Sequence, residues 1–467
     1  MQIPILNGIY TDEDSDFRVA YPKNLIPVPV EHGISGGYLR PADGIVQFGD
    51  TPPGIGRGGI NWNGVQYRVM GTSLVSIDAL GAVTNYGTIP GTDRVTLDYS
   101  FDYLSIAADE KLYLFDGATI QQVTDADLGV VLDQIWVDGY FMTTDGANLV
   151  VTELADPFSV LPTKYGSSEA DPDPVKALLK VRNEPYALNR YTTEVFDNVG
   201  GTGFPFQRID GAQVECGPIG TFACCVFLDA VALVGGGFNE AISVWLIGGG
   251  NRTRIATREI DIILSEYSEA QLANTLVEDR VEKGHQQLRI HLPDRTLVYD
   301  AAASQIMQEP VWYYFCSDLV GYSQYRAQNL VFCYDKWWVH DPQAARFGYL
   351  SDSVGDHWGE EIGWDFGTVI IYNDGFGVIF HEVELVCLSG RAALGDDSTI
   401  WTRYSTDGET WSMERGIKAG KQGQRNKRLV WINQGPMEHW RIQQFRGTSK
   451  SRLSMVRLEA RIEALNV

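Results

Sequence analysis

Seven short β-hairpins recur along this chain, and their rhythm constrains the fold more than any other feature. The first spans residues 65–77 and reads as a strand, a turn at Gly71-Thr72 and a second strand. The turns of the others lie near Asp109, Asp145, Asn183, Gly236, Pro293 and Asp335. A spacing of about 40–50 residues, with several strands in each unit, is typical of the blades of a β-propeller. We therefore predict an all-β chain built around a propeller.

The hairpin pattern also predicts how the domains are divided. It covers residues 61–365, for which we predict a six-bladed propeller with a helical insertion on its rim, near residues 257–283. Within that insertion, Ser268 and Gln271 have the spacing of a helix capping box. Residues 1–60 lack the rhythm and contain a proline-rich stretch, so we predict an extended N-terminal arm.

Five further strand-like stretches follow the propeller, near residues 367–372, 383–388, 399–404, 429–432 and 452–462. The last of them alternates apolar and charged residues, as expected of a strand with one buried face and one exposed face. We predict that residues 366–467 form a C-terminal β-sandwich.

Charge is distributed unevenly between these regions. Residues 414–467 contain 12 Lys and Arg against 4 Asp and Glu, a balance of +8. The other 413 residues contain 25 Lys and Arg against 56 Asp and Glu, a balance of −31. A body this acidic is not expected to bind nucleic acid over most of its surface, because DNA is itself densely negative. We expect the basic residues 414–467 to contact an acidic partner, which could be the acidic body of a neighbouring copy. The alternative is that they form a solvated surface without a partner.

The beginning of the chain and the cysteines suggest where the protein is made. Residues 1–6 lack the basic and apolar regions of a signal peptide, and no apolar stretch is long enough for a membrane helix, so we expect a soluble protein made in a cytoplasm. The six cysteines show no C-x-x-C pair, and we expect them to be buried free thiols. We expect no metal and no cofactor.

No arrangement of residues points to catalysis. Nucleophile-elbow, zinc-protease and phosphate-loop motifs are absent from the sequence. Residues 404–411 resemble the Asp-box of sialidases, but Asp407 and Gly408 are adjacent, and an ordinary Asp-Gly hairpin is the better interpretation. Asp356-His357 and His381-Glu382 lack a third partner at ligand spacing. We therefore predict that the chain is not an enzyme.

Several short segments, in order along most of the chain, resemble one family: the tail hub, or nozzle, protein of short-tailed bacteriophages, also called packaged-DNA stabilisation protein. The most similar segment is His-Leu-Pro-Asp-Arg-Thr-Leu-Val-Tyr-Asp-Ala-Ala-Ala-Ser-Gln at residues 291–305. The other segments are residues 24–29, 37–45, 67–74, 255–270, 405–408 and 427–431. The chain departs from the family by insertions around residues 168–174 and 351–364.

The resemblance implies a structural virion protein of the tail, assembled in the host cytoplasm. Such proteins form a ring, which we expect to be a hexamer, below the portal and its adaptor protein. The ring continues the DNA channel, helps to close it together with a needle or plug protein, and anchors tailspikes or tail fibres. Double-stranded DNA passes through without specific binding, and from the acidic balance we expect a channel lined mainly by carboxylates.

We predict that the basic C-terminal region forms a partner interface. Cationic side chains at the ends of strands project from a rigid surface, and arginine offers a planar fork for carboxylates. The candidate interface residues are Arg425, Lys427, Arg428, Arg441 and Arg446.

Two other functions remain open from the residues themselves. One is a propeller that binds or cleaves carbohydrate, which should repeat aromatic and acidic residues at equivalent turns, whereas the turn residues here differ between blades. The other is a scaffold for host protein interactions, which predicts no affinity for phage adaptor rings.

Overall fold

The computed structural model describes residues 2–3, 5–6, 9–13, 16–30, 36–154, 156–169, 171–373 and 376–465. Seven small antiparallel sheets form a β-propeller, and two larger sheets form a β-sandwich. The predicted combination of a propeller and a C-terminal sandwich is confirmed.

The first four blades follow one another along the chain, each as four antiparallel strands from the inner to the outer edge. Blade one is Gly56–Trp62, Val65–Met70, Ser73–Ile77 and Val83–Thr88. Blade two is Thr96–Tyr99, Leu104–Ala108, Lys111–Phe115 and Ile120–Gln122. Blade three is Asp133–Val137, Tyr140–Thr144, Asn148–Val151 and Tyr165–Ser167. Blade four is Val175–Val181, Glu184–Asn189, Thr193–Asn198 and Phe206–Arg208.

The last three blades are less regular. In blade five, Gly217–Pro218 and Cys224–Phe227 both pair with Ala230–Gly236, and Ser243–Gly248 and Asn251–Arg254 follow. Blade six is Leu276–Glu282, His285–His291, Thr296–Asp300 and Trp312–Phe315. Blade seven is Gln328–Cys333, Lys336–His340 and Phe347–Ser351, with Gly44–Gln47 from the beginning of the chain as its outer strand.

The ring of blades is closed. Each innermost strand contacts that of the next blade, and the inner strand of blade seven contacts that of blade one. The structure therefore corrects the predicted number of blades from six to seven, and each of the seven predicted hairpins belongs to a different blade. Seven blades fit into a stretch of chain for which we predicted six, because the outer strands of blades two to four are only three residues long.

Tight turns of one kind join the inner strand to the second strand in six blades. Both turn residues have positive φ, which is the type I′ geometry whose twist matches that of the flanking strands. The pairs are Asn63-Gly64, Asp138-Gly139, Arg182-Asn183, Leu228-Asp229, Lys283-Gly284 and Tyr334-Asp335. In an antiparallel blade these turns lie on one face of the disc. The opposite face, here called the crossover face, carries the turns between second and third strands and the connections between blades.

The predicted helical insertion is present but shorter than expected. Helix α1 (Arg258–Ser265) and helix α2 (Glu269–Ala273) connect blades five and six, and the capping box of Ser268 and Gln271 is formed. Residues 276–282, which were included in the predicted insertion, are instead the inner strand of blade six, because the second helix ends at Asn274. A third helix, α3 (Ala301–Met307), follows the third strand of blade six. None of the helices in the described ranges is long and apolar enough to cross a lipid bilayer.

The sandwich packs two sheets around one core. The first sheet has Leu25–Pro29, Gly37–Pro41, Ser454–Ala464, Val378–Leu388 and Leu429–Met437 in this order, with Gln2–Ile3 also paired to Ser454–Ala464. The second sheet has Gly363–Gly367, Trp440–Thr448, Thr399–Ser405 and Arg415–Lys418, with Ile371–Tyr372 also paired to Trp440–Thr448. The strands Arg415–Lys418 and Trp440–Thr448 were not among the five stretches identified from the sequence.

Residues 1–60, predicted as an extended arm, contribute strands to several sheets. Besides its strands in the first sheet of the sandwich, this range supplies the outer strand of blade seven, the inner strand of blade one and a hairpin of Ile9–Glu13 with Asp16–Ala20. Ile3, Leu25 and Leu39 from this range are buried in the sandwich core. The two ends of the chain therefore meet in one domain.

Residues 23 and 24 connect the propeller to the sandwich. The Asn24 side chain donates to the carbonyl oxygens of Cys316 (3.0 Å) and Gly363 (2.7 Å) and accepts from the backbone N–H of Cys316 at 2.9 Å. Lys23 pairs with Asp365 at 3.3 Å. Because these contacts are buried or half-buried, the sandwich is held against the rim of blades six and seven.

Candidate interface

The predicted basic interface is centred on one exposed loop of the sandwich. Residues 421–428, here called the basic loop, are all exposed and read Lys-Gln-Gly-Gln-Arg-Asn-Lys-Arg. The loop contains four cationic residues and no acidic one. Within the described part of the chain, the side chains of Arg425 and Lys427 form no ion pair. These two predicted residues are therefore available to a partner.

The backbone of the basic loop is ordered by hydrogen bonds. The amide N–H of Lys421 donates to the Gln424 side chain at 3.0 Å, and the amide N–H of Gln424 donates to the Lys421 carbonyl at 3.1 Å. The Ser389 hydroxyl donates to the Gln424 carbonyl at 2.9 Å. A loop held in this way loses less conformational entropy on binding than a flexible one.

Arg428 differs from its neighbours because it already has a partner. Its guanidinium forms a two-point ion pair with Glu384 on the adjacent strand, with Nε donating at 2.8 Å. The hydrogen bond with Glu384 raises the pKa of Arg428 and lowers that of Glu384. On the outer face of the first sheet, Glu384 lies opposite Glu459, so Arg428 offsets a repulsion between two like charges.

Arg441 is not part of the surface, so the structure corrects its prediction as an interface residue. Its side chain is fully buried in the sandwich, stacked on Tyr404 at 3.8 Å and on Phe380 at 4.5 Å. It donates to the Gln443 side chain at 2.7 Å and to the Gln434 carbonyl at 2.7 Å. Burial lowers the pKa of Arg441 to about 9. Arg441 therefore orders the core and is not available to a partner.

Arg446 lies apart from the basic loop. It is half-buried, pairs with Glu414 and lines a cleft of about 320 Å³ between sandwich and propeller, together with Lys23 and Trp401. Of the five predicted residues, the structure thus brings only Arg425, Lys427 and Arg428 into one loop.

The sequence did not identify an acidic cleft on the crossover face, between blades four and five. Its volume is about 580 Å³, and Asp171, Asp173, Glu215 and Glu240 line it with the aromatic rings of Tyr191 and Phe238. Residues 171–174 supply part of its wall. The insertion and the nearby acids were visible in the sequence, but the fold alone brings residues 171–174, 191–192 and 215–240 together.

Acidic residues continue along the crossover face beyond this cleft. Blades two and three contribute further carboxylates there, namely Asp109, Glu110, Asp125, Asp127 and Asp145. Acids also lie at turns of the opposite face, for example Asp102, Asp138, Asp229 and Asp335, so the acidity of the propeller is spread over both faces.

Other groups that could suggest chemistry have structural roles. Burial raises the pKa of Asp133 to about 7, but its oxygens accept from the backbone N–H groups of Gln134 (2.8 Å) and Leu178 (2.7 Å), which ties blade three to blade four. Burial likewise raises the pKa of the Cys216 thiol to about 12. Across the described ranges, no three His, Cys, Asp or Glu side chains are grouped so as to hold a metal ion.

The segment that resembles an Asp-box is a hydrogen-bonded turn. Asp407 accepts from the backbone N–H groups of Thr410 (2.8 Å) and Glu409 (3.1 Å) and from the Ser405 hydroxyl (2.9 Å). Hydrogen bonds from the side chain and backbone of Thr410 contribute most to lowering the pKa of Asp407 to about 2. Asp407 therefore shapes a loop between two strands of the sandwich.

Comparison with known families accounts for both domains. Residues 1–355 match the family model described as Bacteriophage P22 Gp10, β-propeller, and residues 363–463 match the model described as Bacteriophage P22 Gp10, β-sandwich. The chain belongs to the P22 Gp10 family. A curated relative, the tail hub protein gp10 of Salmonella phage P22, is 26% identical over 485 residues, which cover 99% of this chain and 99% of the relative.

Solved structures give weaker similarities. The extracellular domain of the putative hybrid two-component system BT4673 from B. thetaiotaomicron is 10% identical, with a TM-score of 0.43, over 86% of this chain and 56% of that one. The N-terminal domain of Nup159 is 8% identical, with a TM-score of 0.40, over 70% of this chain and 98% of that one. At these values neither similarity supports an inference about function.

Proposed function

We propose that this protein is a structural subunit of a bacteriophage tail hub. The observation that carries the proposal is the match over the whole chain, through both domains, to a tail hub protein. A rigid propeller joined to a sandwich by buried contacts suits a building block of an assembly. The chain thus acts by shape and surface charge.

Within the tail, we infer that copies of the chain form a ring, expected to be a hexamer, below the portal and its adaptor protein. A closed ring needs heterologous contacts, in which one surface of a subunit meets a different surface of the next. The acidic cleft between blades four and five of the propeller and the basic loop of the sandwich are two such surfaces in separate domains. The adaptor protein is a second candidate partner for either surface.

The ring continues the DNA channel, and the channel wall is acidic. The balance of −31 over residues 1–413 supports this inference. An acidic wall repels phosphate and lets DNA slide, whereas a wall of Lys and Arg would bind DNA with an affinity that falls steeply with salt.

The same ring anchors tailspikes or tail fibres and meets a needle or plug protein that helps to close the channel. The protein itself does no hydrolysis. Its conspicuous polar groups, such as Asp133 and Asp407, are engaged in hydrogen bonds that hold blades or turns. Host polysaccharide is therefore expected to remain uncleaved by the purified protein.

Electron microscopy of particles made with and without the chain tests this function. In its presence we expect a ring below the adaptor and a tail that retains packaged DNA; in its absence we expect particles that lose their DNA. Particles whose tails are complete without the chain would overturn the proposal. So would a purified monomer that binds or cleaves glycans and never enters a particle, the outcome expected of a carbohydrate-active propeller.

A further inference from the structure

The acidic cleft between blades four and five has carboxylates that no cation of the described chain neutralises. Asp171 and Glu215 are exposed, and among the described residues neither side chain forms an ion pair. Glu240, in contrast, is held by Arg252 through two hydrogen bonds of 2.6 Å. The cleft therefore presents two available negative charges beside a neutralised pair.

A third acid at the cleft is fixed by the backbone. Asp173 accepts from the amide N–H groups of Tyr191 (2.6 Å) and Thr192 (3.1 Å) and from the Thr192 hydroxyl (3.1 Å). These bonds hold the stretch around Asp173, residues 171–174, against blade four. The wall that carries Asp171 is thus fixed before any partner arrives.

An exposed aromatic ring stands beside these acids. Phe238 is 72% exposed and meets Tyr191 edge to face, with ring centroids 5.3 Å apart. Arg190 stacks on Tyr191 at 4.5 Å, whereas no cation among the described residues stacks on Phe238. An aromatic face next to carboxylates attracts a cationic side chain both through its quadrupole and through ion pairing.

We propose that this cleft receives the basic loop, residues 421–428, of a second copy of the chain. The charges are complementary: Arg425 and Lys427 lack partners on the sandwich, and Asp171 and Glu215 lack them on the propeller. The loop is preformed by its own hydrogen bonds, and the wall of the cleft is preformed by those of Asp173. Arginine and lysine side chains therefore fit the combination of Phe238 and two carboxylates.

A second copy is the occupant because the two surfaces belong to different domains of one chain. No hydrogen bond or ion pair connects the basic loop to the cleft within the part of the subunit that the structure describes. A contact between one surface and a different surface of the next copy repeats around a ring. The inference deepens the proposed function and rests on it, because it names the subunit contact of the hub.

Charge reversal on each side, followed by both together, tests the contact. Asp171→Lys with Glu215→Lys, and separately Arg425→Glu with Lys427→Glu, should each lower the amount of the chain in tails by about tenfold or more. The chain that carries all four changes should recover most of the wild-type amount, because the ion pairs re-form with opposite sign. Since exposed pairs are individually weak, wild-type assembly should also weaken as salt rises.

A matched control separates local complementarity from net charge. Asp102→Lys with Glu409→Lys makes the same change of charge at exposed positions away from both surfaces and should leave incorporation unchanged. Thermal unfolding of each purified variant should match the wild type, which keeps loss of folding apart from loss of contact.

Cross-linking gives a second, positive signal. A chain with both Phe238→Cys and Lys427→Cys, treated with a short bismaleimide in assembled tails, should give a ladder of linked subunits. Each single variant should give no linked subunits beyond the background from the six native cysteines.

The outcomes distinguish this contact from the proposed function. If the wild-type chain is absent from tails, the hub function itself fails. If the wild type enters tails but the four-fold variant is not rescued, or only the loop reversal matters, the basic loop meets another partner, such as the adaptor, and the inference fails while the function stands.

Discussion

The propeller and the sandwich are both all-β, but they are assembled from the chain in different ways. In blades one to six, all strands of a blade follow one another in sequence, and only blade seven takes a strand from far away, Gly44–Gln47. The sandwich instead pairs Leu39 with Met455 and Gln2 with Glu459 across one sheet. Most of the propeller can therefore form from local contacts, whereas the sandwich needs both ends of the chain.

Two buried arginines, one in each domain, are held in different ways. Arg280 in blade six is paired with Asp43 at 2.8 Å and with Glu282, whereas Arg441 in the sandwich has only neutral oxygens and aromatic rings. All the buried histidines among the described residues, namely His285, His291, His340 and His357, lie in the propeller or in its connection to the sandwich. The propeller should therefore respond to pH and charge changes that leave the sandwich unaffected.

The largest expected loss of stability comes from substitutions that weaken the packing of the N-terminal strands in the sandwich. Leu25→Ala with Leu39→Ala removes two fully buried side chains of the N-terminal segment from the sandwich core. We expect a loss of about 5 kcal/mol or more in the free energy of unfolding of the sandwich, because each truncation leaves a cavity. Hydrogen exchange should show lost protection in the sandwich and retained protection in blades one to five.

The exposed Leu388, on the same sheet, provides the control, and Leu388→Ala should change stability little. Equal loss of protection in all blades would show that the two domains unfold as one unit, contrary to the comparison.

An intermediate effect compares the two buried arginines. Arg280→Met leaves the buried Asp43 with Arg40 as its remaining cationic partner. Because a buried carboxylate then loses its main counter-charge, we expect the free energy of unfolding to fall by about 3–5 kcal/mol. Burial opposes ionisation of Asp43, but the charges of Arg280 and Arg40 lower its pKa to about 2. Its contribution to stability is present above the unfolded value of 3.8 and is lost as pH falls towards 2.

Arg441→Met removes hydrogen bonds, which destabilises the sandwich. It also removes a buried cation that no carboxylate balances, which offsets part of that loss, so we expect the free energy of unfolding to fall by about 1–2 kcal/mol or less. Denaturant unfolding of both variants at neutral pH measures the difference. Similar losses for Arg280 and Arg441 would show that a buried carboxylate partner does not set the cost of removing a buried arginine.

The smallest expected effect is a selective weakening of the propeller by acid. The pKa values of His340 and His357 are both lowered to about 3, mainly by burial. The positive charge of Arg68 adds to the effect on His340, and that of Arg326 adds to the effect on His357. Below pH 6.5 the unfolded chain binds protons that the folded chain does not, so stability falls as pH decreases. At pH 5 the cost is about 2 kcal/mol for each histidine relative to pH 7.5. The raised pKa of Asp133 acts in the opposite direction over the same pH range and offsets part of this loss, so the net effect is the smallest of the three.

Unfolding curves at pH 7.5 and 5.0 should therefore show a shift of the propeller transition only. In His357→Gln the loss of stability between these pH values should be smaller by about 2 kcal/mol than in the wild type. The matched variant of an exposed histidine in the sandwich, His439→Gln, should leave the pH dependence unchanged. A sandwich transition that shifts as much as that of the propeller would contradict the difference between the domains.

Local patterns in the sequence were sufficient for much of the fold. The seven hairpins and the capping box of Ser268 and Gln271 depend on contacts between near neighbours. The strands near residues 383–388, 399–404, 429–432 and 452–462 were recognisable from their own apolar patterns, although they pair with strands that are distant in the chain. Turn residues and alternation with a period of two report such contacts directly. The division into an acidic propeller region and a basic C-terminal region also followed from the residues alone.

Long-range packing decided the rest. All seven hairpins were identified, but the number of blades was not, because blade seven takes its outer strand, Gly44–Gln47, from the other end of the chain. Arg425 and Arg441 are both arginines next to strand-forming residues, yet one is exposed and the other is covered by Phe380 from the facing sheet and by Tyr404 from the adjacent strand. The acidic cleft likewise joins loops of two blades. Sequence alone determined which segments are strands and where charge accumulates; only the tertiary structure decided which faces are buried, because burial depends on strands that are distant in the chain.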